Sequence, residues 1–421
     1  MREIAAGRVT PGRVAARTRE RIEALELDVR AWVHLDPEVR ATASGPSDRV
    51  PLDPEFGAAA SGPLAGVPLG VKDLIDVAGM PTRCGSTLRS SRPVERDADC
   101  VKLARRLGAV PIGKTVTTEF GYFAPGPTRN PHALDHTPGG SSSGSAAAVA
   151  AGMVPLAFGT QTAGSLTRPA SFCGVAGLVT ARGRFSTTGI TGLSPSLDSL
   201  GVLARTVDDL HYGWAAMDSG IAPAELVPSS PRRLEVWSGF ELGEVSPSMT
   251  AALRATADAA ADAGTTCREL DSSARIVALA EQHATVMAYE AVRERAAEAR
   301  HTDEISAPLA ELFATGRRIP EAAYRAALAE IDAAQRRLLA MLDQNEFVLG
   351  PAALGAAPRG LDATGTPILS RPWQAMGLPV VTIPGHRDES GLPLGLQLIG
   401  RPGDEQALLQ AAAWLEAHLH P

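Results

Sequence analysis

The sequence predicts an α/β fold in which a single large mixed β-sheet is covered on both faces by helices. Three observations predict it. Helical stretches alternate with short apolar runs along most of the 421 residues. A strand–helix–strand unit is legible between residues 234 and 270, and strand character returns three times after residue 346. The composition is that of an ordinary globular chain, 44% hydrophobic and 21% charged. At this length about three quarters of the unfolded surface can be buried, enough for one large core or two domains.

The elements follow in order. The first forty residues read as amphipathic helix, and residues 41–62 as a connector containing Pro, Ser and Asp. The run Gly66-Val-Pro-Leu-Gly-Val ends at Lys72 and reads as a short buried strand. Cys100, Leu103, Ala104 and Leu107 fall at i, i+3, i+4 and i+7, a helix that Gly108 terminates before another short strand. Residues 146–151 are apolar and helix-forming. Residues 234–237 read as a strand, 248–263 as a helix closed by Gly264, and 265–270 as the next strand. Residues 274–343 are mostly helical; 347–349, 378–383 and 394–399 are strands; the last helix presents Leu408, Ala411, Ala412 and Leu415 on one face. No internal repeat is present. One domain, 1–421, is expected, with an N-terminal helical segment and connector (1–61), a catalytic core (62–235), a βαβ and helical segment (236–345), and the returning strands and C-terminal helix (346–421).

Charge and composition exclude several functions. The net charge of −7, with a pI near 5.8, leaves no basic excess to release counterions from a nucleic acid. The longest nearly uncharged apolar stretch, 146–159, is shorter than the ~20 residues of a membrane-spanning helix and is broken by Gly152 and Pro155. The first residues lack the apolar core of a signal peptide, so a cytoplasmic location with reduced thiols is the expectation. The nine histidines show no His-Glu-x-x-His spacing, and Cys84, Cys100, Cys173 and Cys267 form no Cys-x-x-Cys, so neither metal nor cofactor is expected. Cys173 lies in Phe-Cys-Gly-Val, an apolar setting that raises a thiol pKa and suits packing better than nucleophilic attack.

The chemistry concentrates between Gly139 and Pro169, where serines in two Gly-rich turns flank one short apolar segment. Such backbone can approach a substrate closely and aim several N–H groups at one point, and a serine there is a candidate nucleophile. It needs a base at neutral pH. Lys72, directly after an apolar run, is a cation where none belongs without a reason. Taken singly, residues 141–145 could be a flexible Gly/Ser linker and Lys72 a surface lysine. The apolar helix that the serine turn feeds argues against the linker. Two other motifs mislead. Gly108 to Thr115 fits the Walker A pattern, but the helix precedes it and a strand follows, the reverse of a phosphate loop. Gly140-Ser-Ser142-Ser-Gly144 fits the nucleophile elbow Gly-x-Ser-x-Gly, but a polar loop leads in where that motif needs a strand.

Together these residues resemble the amidase signature hydrolases. That family uses a Ser-cisSer-Lys triad: a lysine in a Gly-Val/Ile-Lys-Asp turn, the first serine of a Gly-Gly-Ser-Ser turn, and the serine ending Gly-Thr-x-Thr-x-Gly-Ser. Lys72, Ser141 and Ser165 occupy these positions in the same order and at the family's spacing. Further matches at 113–120, 130–131, 171–174, 196–201, 377–379 and 392–397 extend the resemblance over most of the chain.

The resemblance implies hydrolysis of an amide C–N bond. Ser165 attacks the carbonyl, its proton passes through Ser141 to Lys72, and the N–H groups of Thr162, Ala163, Gly164 and Ser165 hold the oxyanion. Lys72 must start neutral, so its pKa has to fall from the usual value of about 10.4. Many family members read Gly-Thr-Asp-Thr-Gly-Gly-Ser-Ile-Arg, whereas here the arginine stands at Arg168, three residues beyond Ser165. This placement is similar to malonamidase-type and carboxybiuret-hydrolase-type members, where the arginine pairs with a substrate carboxylate. A planar, permanently charged fork suits that task; a structural salt bridge at the turn is the alternative. Gln161, Arg168 and Tyr122 are the expected substrate contacts, with Tyr122 and Phe123 walling the acyl pocket and Asp198 supporting the site through hydrogen bonds. The implied partner is a small-molecule amide, and the family suggests a homodimer. Three functions stay open: an amidase for a carboxylate-bearing amide, the glutamine-hydrolysing component of a tRNA-dependent amidotransferase, and a noncatalytic binding protein on the same fold.

Overall fold

The structure, a computed structural model, describes residues 1–36, 62–270 and 273–419. The connector expected at 41–62 falls, apart from Gly62, outside the described residues. The N-terminal stretch departs from the single helix expected. A short α1 (Arg2–Ala5) precedes α2 (Pro11–Val29), which Thr10 caps by accepting from the Arg13 N–H. The chain then turns at Arg30, whose φ of 54° lies in the left-handed region. The Glu26 carboxylate accepts the next two N–H groups, Ala31 at 2.9 Å and Trp32 at 3.0 Å. Trp32–Leu35 becomes β1, because β3 offers it an antiparallel edge.

Next come β2 (Pro68–Lys72), α3 (Asp99–Arg106) and β3 (Val110–Thr115), the helix-then-strand order that argued against a phosphate loop. They are followed by α4 (Ser143–Ala150), β4 (Leu156–Gln161), α5 (Thr167–Cys173), β5 (Ala176–Val179), β6 (Ser199–Ala204) and α6 (Val207–Ser219). The strand–helix–strand unit is present as β7 (Arg233–Val236), α7 (Pro247–Asp262) and β8 (Thr266–Glu269), with β7 and β8 parallel. The long helical region consists of α8 (Ser273–Glu294), α9 (Ala307–Arg318) and α10 (Glu321–Met341). The chain ends with β9 (Glu346–Pro351), α11 (Arg371–Ala375), β10 (Val380–Arg387), β11 (Pro393–Ile399) and α12 (Glu405–Leu419).

All eleven described strands join one mixed sheet in the order β1-β3-β2-β4-β6-β5-β10-β11-β9-β7-β8. Alternate residues of the central strands feed two separate cores. In β4, Ala157 belongs to the core that α2, α4, α5 and α8–α11 share on one face, whereas Leu156 and Phe158 belong to the core shared by α3, α6, α7 and α12 on the other. Burial of a side chain like Phe158, with no exposed surface, contributes roughly 1.5–3 kcal/mol. The predicted face of α12, Leu408, Ala411, Ala412 and Leu415, is buried in the second core. Residues 143–149 of α4 are all buried, so this helix needs no polar face. Among the described residues no helix is long and apolar enough to cross a membrane.

Candidate active site

Lys72 is the last residue of β2, and β4 runs parallel beside it, so both strands end on the same edge of the sheet. Open α/β sheets place their ligands there. The Lys72 side chain is wholly buried, and its Nζ donates to Ser141 Oγ at 2.7 Å and to Thr160 Oγ1 at 2.8 Å. Burial pushes its ammonium down to about 7; the Asp198 carboxylate works against that fall and Arg168 adds to it. A lysine with two hydroxyl partners and, among the described residues, no ion-paired acid can exchange a proton near neutrality.

The serine-rich turn is ordered by its own hydroxyls and is not a linker. Gly139, at φ 81°, lies where a Cβ would meet Pro169 at 3.0 Å, so only glycine fits. The Gly140–Ser141 peptide bond is cis. Ser142 Oγ donates to Thr160 O at 3.3 Å, Ser143 Oγ to Val116 O at 3.3 Å and Ser145 Oγ to Phe158 O at 2.9 Å, tying the start of α4 to β4 and to the end of β3. Ser142 is therefore engaged with strand backbone, and turns and isolated bridges precede it; both facts count against a nucleophile elbow. The Walker-like residues are occupied too. Lys114 Nζ sits 3.0 Å from Asp73 Oδ1 in a buried ion pair, and Thr115 Oγ1 shares a 2.6 Å bond with Ser145 Oγ.

Ser165 lies in the turn that follows β4. It lines a cavity together with Ser141, Thr162, Ala163, Tyr122 and Arg168. Among the described residues no acceptor engages the N–H groups of Thr162, Ala163, Gly164 or Ser165. The next two N–H groups, of Leu166 and Thr167, donate to Gln161 Oε1 at 2.9 and 3.0 Å. This corrects the expectation for Gln161. Its amide is fully buried, its Nε2 donates to Gln374 Oε1 at 3.1 Å, and it braces the turn from behind instead of meeting the cavity.

Arg168 is buried in the same cavity wall. Its Nε donates to Thr364 O at 2.7 Å and its Nη2 to Gly140 O at 2.6 Å, while Nη1, sealed from solvent, has no protein partner among the described residues. Among the described residues no carboxylate pairs with it, so the salt-bridge alternative is not seen there. Burial, reinforced by Arg371, pushes its pKa down to about 9, which leaves it charged at neutral pH. Tyr122 and Phe123 both line the cavity, their rings edge-to-face at 4.8 Å, directly after a short 3-10 turn. Asp198 accepts from Thr162 Oγ1 at 2.5 Å and from the N–H groups of Leu193 and Ser194, as the supporting role requires. Cys173 is buried, and burial pushes its thiol up, in line with packing.

Three further residues join the site, and of these only Thr160, inside Gly-Thr-x-Thr-x-Gly-Ser, carried a sequence signal. Thr160 is the second partner of Lys72. His283, on α8, holds Thr162 O at 2.7 Å. Arg371 opens α11 and lines the cavity.

Comparison with known proteins bears on this geometry. A family model described as Amidase matches residues 13–409. The chain belongs to the amidase family. Its chemistry is hydrolysis of amide carbon–nitrogen bonds. This amidase is 32% identical over 388 residues to the putative amidase AmiA2 of Mycobacterium bovis, covering 83% of this chain and 78% of that one. It is 33% identical over 408 residues to a component of the glutamyl-tRNA(Gln) amidotransferase of Anaeromyxobacter sp., covering 84% and 82%. A solved amidase crystal structure superposes on it with a TM-score of 0.84 at 30% identity, covering 99% of this chain and 98% of the other. The eleven-stranded mixed sheet is thus a fold this amidase shares with its solved relative.

Proposed function

We propose that this amidase hydrolyses a small amide bearing a carboxylate, through an acyl-enzyme on Ser165 with Ser141 and Lys72 as the proton relay. Ser165 Oγ attacks the carbonyl carbon while its proton passes to Ser141 Oγ, and the Ser141 proton passes to a neutral Lys72 Nζ. The oxyanion accepts from the unengaged N–H groups of residues 162–165. Collapse breaks the C–N bond as Lys72 returns its proton through Ser141 to the leaving nitrogen. Water then cleaves the ester by the same relay. The 2.7 Å contact between Lys72 and Ser141, and burial that brings Lys72 to about 7, support the relay.

One observation carries the carboxylate: Arg168 is a buried guanidinium in the Ser165 cavity, without an acidic partner among the described residues and with an unspent Nη1. A buried charge is kept when something pairs with it. Replacing Arg168 by Gln should lower kcat/KM on a carboxylated amide at least about tenfold more than on a neutral amide of the same size. Equal losses on both classes would sink this reading. Covalent labelling of Ser165 by a fluorophosphonate, lost in Ser165→Ala, separates a working nucleophile from a noncatalytic binding protein.

The similarity to glutamyl-tRNA(Gln) amidotransferase components favours a second reading, glutamine hydrolysis that delivers ammonia to a partner protein. Ammonia release from malonamate, neutral amides and glutamine, assayed side by side, distinguishes the two.

A further inference from the structure

The Ser165 cavity contains a second cation that the reaction above does not use. Arg371, partly buried at the start of α11, lines the cavity together with Arg168. It makes no hydrogen bond or ion pair with any described residue, and its Nε is sealed from solvent without an acceptor. The segment that carries it is firmly seated. Arg168 Nε holds Thr364 O, and a Cβ on Gly164 would lie 2.9 Å from Pro367 and 3.2 Å from Ser370 Oγ, so the chain before Arg371 packs directly on the nucleophile turn.

The charges around this wall do not cancel. None of the residues lining the cavity is acidic. Asp198 faces the adjoining cavity and is held by Thr162, Leu193 and Ser194. Glu311 acts on Tyr122 from an exposed position on α9 and forms no ion pair with Arg371. Two guanidiniums that repel each other in a partly desolvated space, both with unmade N–H bonds, are complementary to an anion.

We propose that Arg168 and Arg371 form one anion subsite beside Ser165, the two guanidiniums gripping a single carboxylate of the substrate between them. This rests on the carboxylated-amide reading and deepens it: Arg371 becomes a specificity-determining residue. The substrate class narrows to small amides whose carboxylate reaches the same cavity as the scissile carbonyl.

The test uses malonate as a probe that cannot be hydrolysed, titrated calorimetrically into the full chain, together with turnover of malonamate and of propionamide, its neutral counterpart. Arg371→Gln should weaken malonate binding and raise KM for malonamate by about tenfold or more, a larger loss than on propionamide. Arg371→Lys should fall between, because it keeps the charge but not the fork; melting curves of both variants report folding. Unchanged malonate affinity in Arg371→Gln, equal losses on the two amides, or no malonate binding by the unaltered chain would overturn the subsite. The two readings fail separately. If malonate binding depends on Arg371 but malonamate is hydrolysed no faster than propionamide, the carboxylated-amide function fails and the subsite stands. If Arg168→Gln abolishes the preference and Arg371→Gln does not, the function stands and the subsite fails.

Discussion

At the scale of single residues, the decisive quantity is the charge on Lys72. Burial alone would favour the neutral amine, and the Asp198 carboxylate partly opposes it, so the lysine comes to about 7. Asp198 is itself pushed up to about 6 by burial and held down by the Thr162 hydroxyl and two backbone N–H groups, so it is mostly ionised where Lys72 titrates. The rate on an amide should therefore rise with pH through about 7 and level off above it. Asp198→Asn removes an anion that favours the ammonium, so the rising limb should move to lower pH, by roughly half a pH unit or more. A pH–rate profile of the two proteins checks this. A limb that stays in place or moves to higher pH would mean that Lys72 does not set it.

At the scale of elements, the turn after β4 is clamped from several sides, and α8 supplies one of the clamps. His283 is buried; burial and then Arg371 push it down to about 3, so it stays neutral, and Thr162 O can only accept from its Nε2–H. The carbonyl of Thr162 and the N–H of Ala163 belong to one trans peptide and point in opposite directions. Holding the carbonyl thus aims the N–H proposed for the oxyanion. His283→Phe should lower kcat roughly tenfold to a hundredfold with KM little changed, less than the loss of an oxyanion donor outright. His283→Gln, which keeps an amide donor, should recover much of it. Steady-state kinetics would contradict this role if KM carried the whole effect or if Gln behaved like Phe.

At the scale of the whole molecule, folding carries a lysine into the sheet edge at a cost that depends on pH. The folded value of about 7 lies below the ordinary 10.5, so between these two values the unfolded chain holds a proton that the folded chain has released. Stability contributed through Lys72 therefore rises with pH across that window. Lys72→Met removes the cost of burying the ammonium. Its gain in stability should be largest at or below about pH 7 and should shrink as pH climbs toward about 10.5. Denaturant unfolding of both proteins at a series of pH values measures this; a gain constant across the window would assign it to packing alone.

The sequence by itself determined the alternation of helices and strands and singled out Lys72, Ser141, Ser165 and Arg168 as candidates, because periodicity and the glycines around those side chains are local features. Elements that exist only by pairing were less visible. Trp32–Leu35 continues a helical pattern and becomes a strand because β3 offers an edge, and β5 and β6 are completed by neighbours far along the chain. What each polar group does was decided only by tertiary structure. Gln161 turns away from the cavity because Gln374 and the turn's own N–H groups use its amide. His283 and Arg371 sit in stretches whose patterns announce nothing, and reach the site from α8 and α11. Residue type and local spacing fix which groups are available; long-range packing fixes which of them remain unpartnered, and the unpartnered groups are those left to meet a substrate.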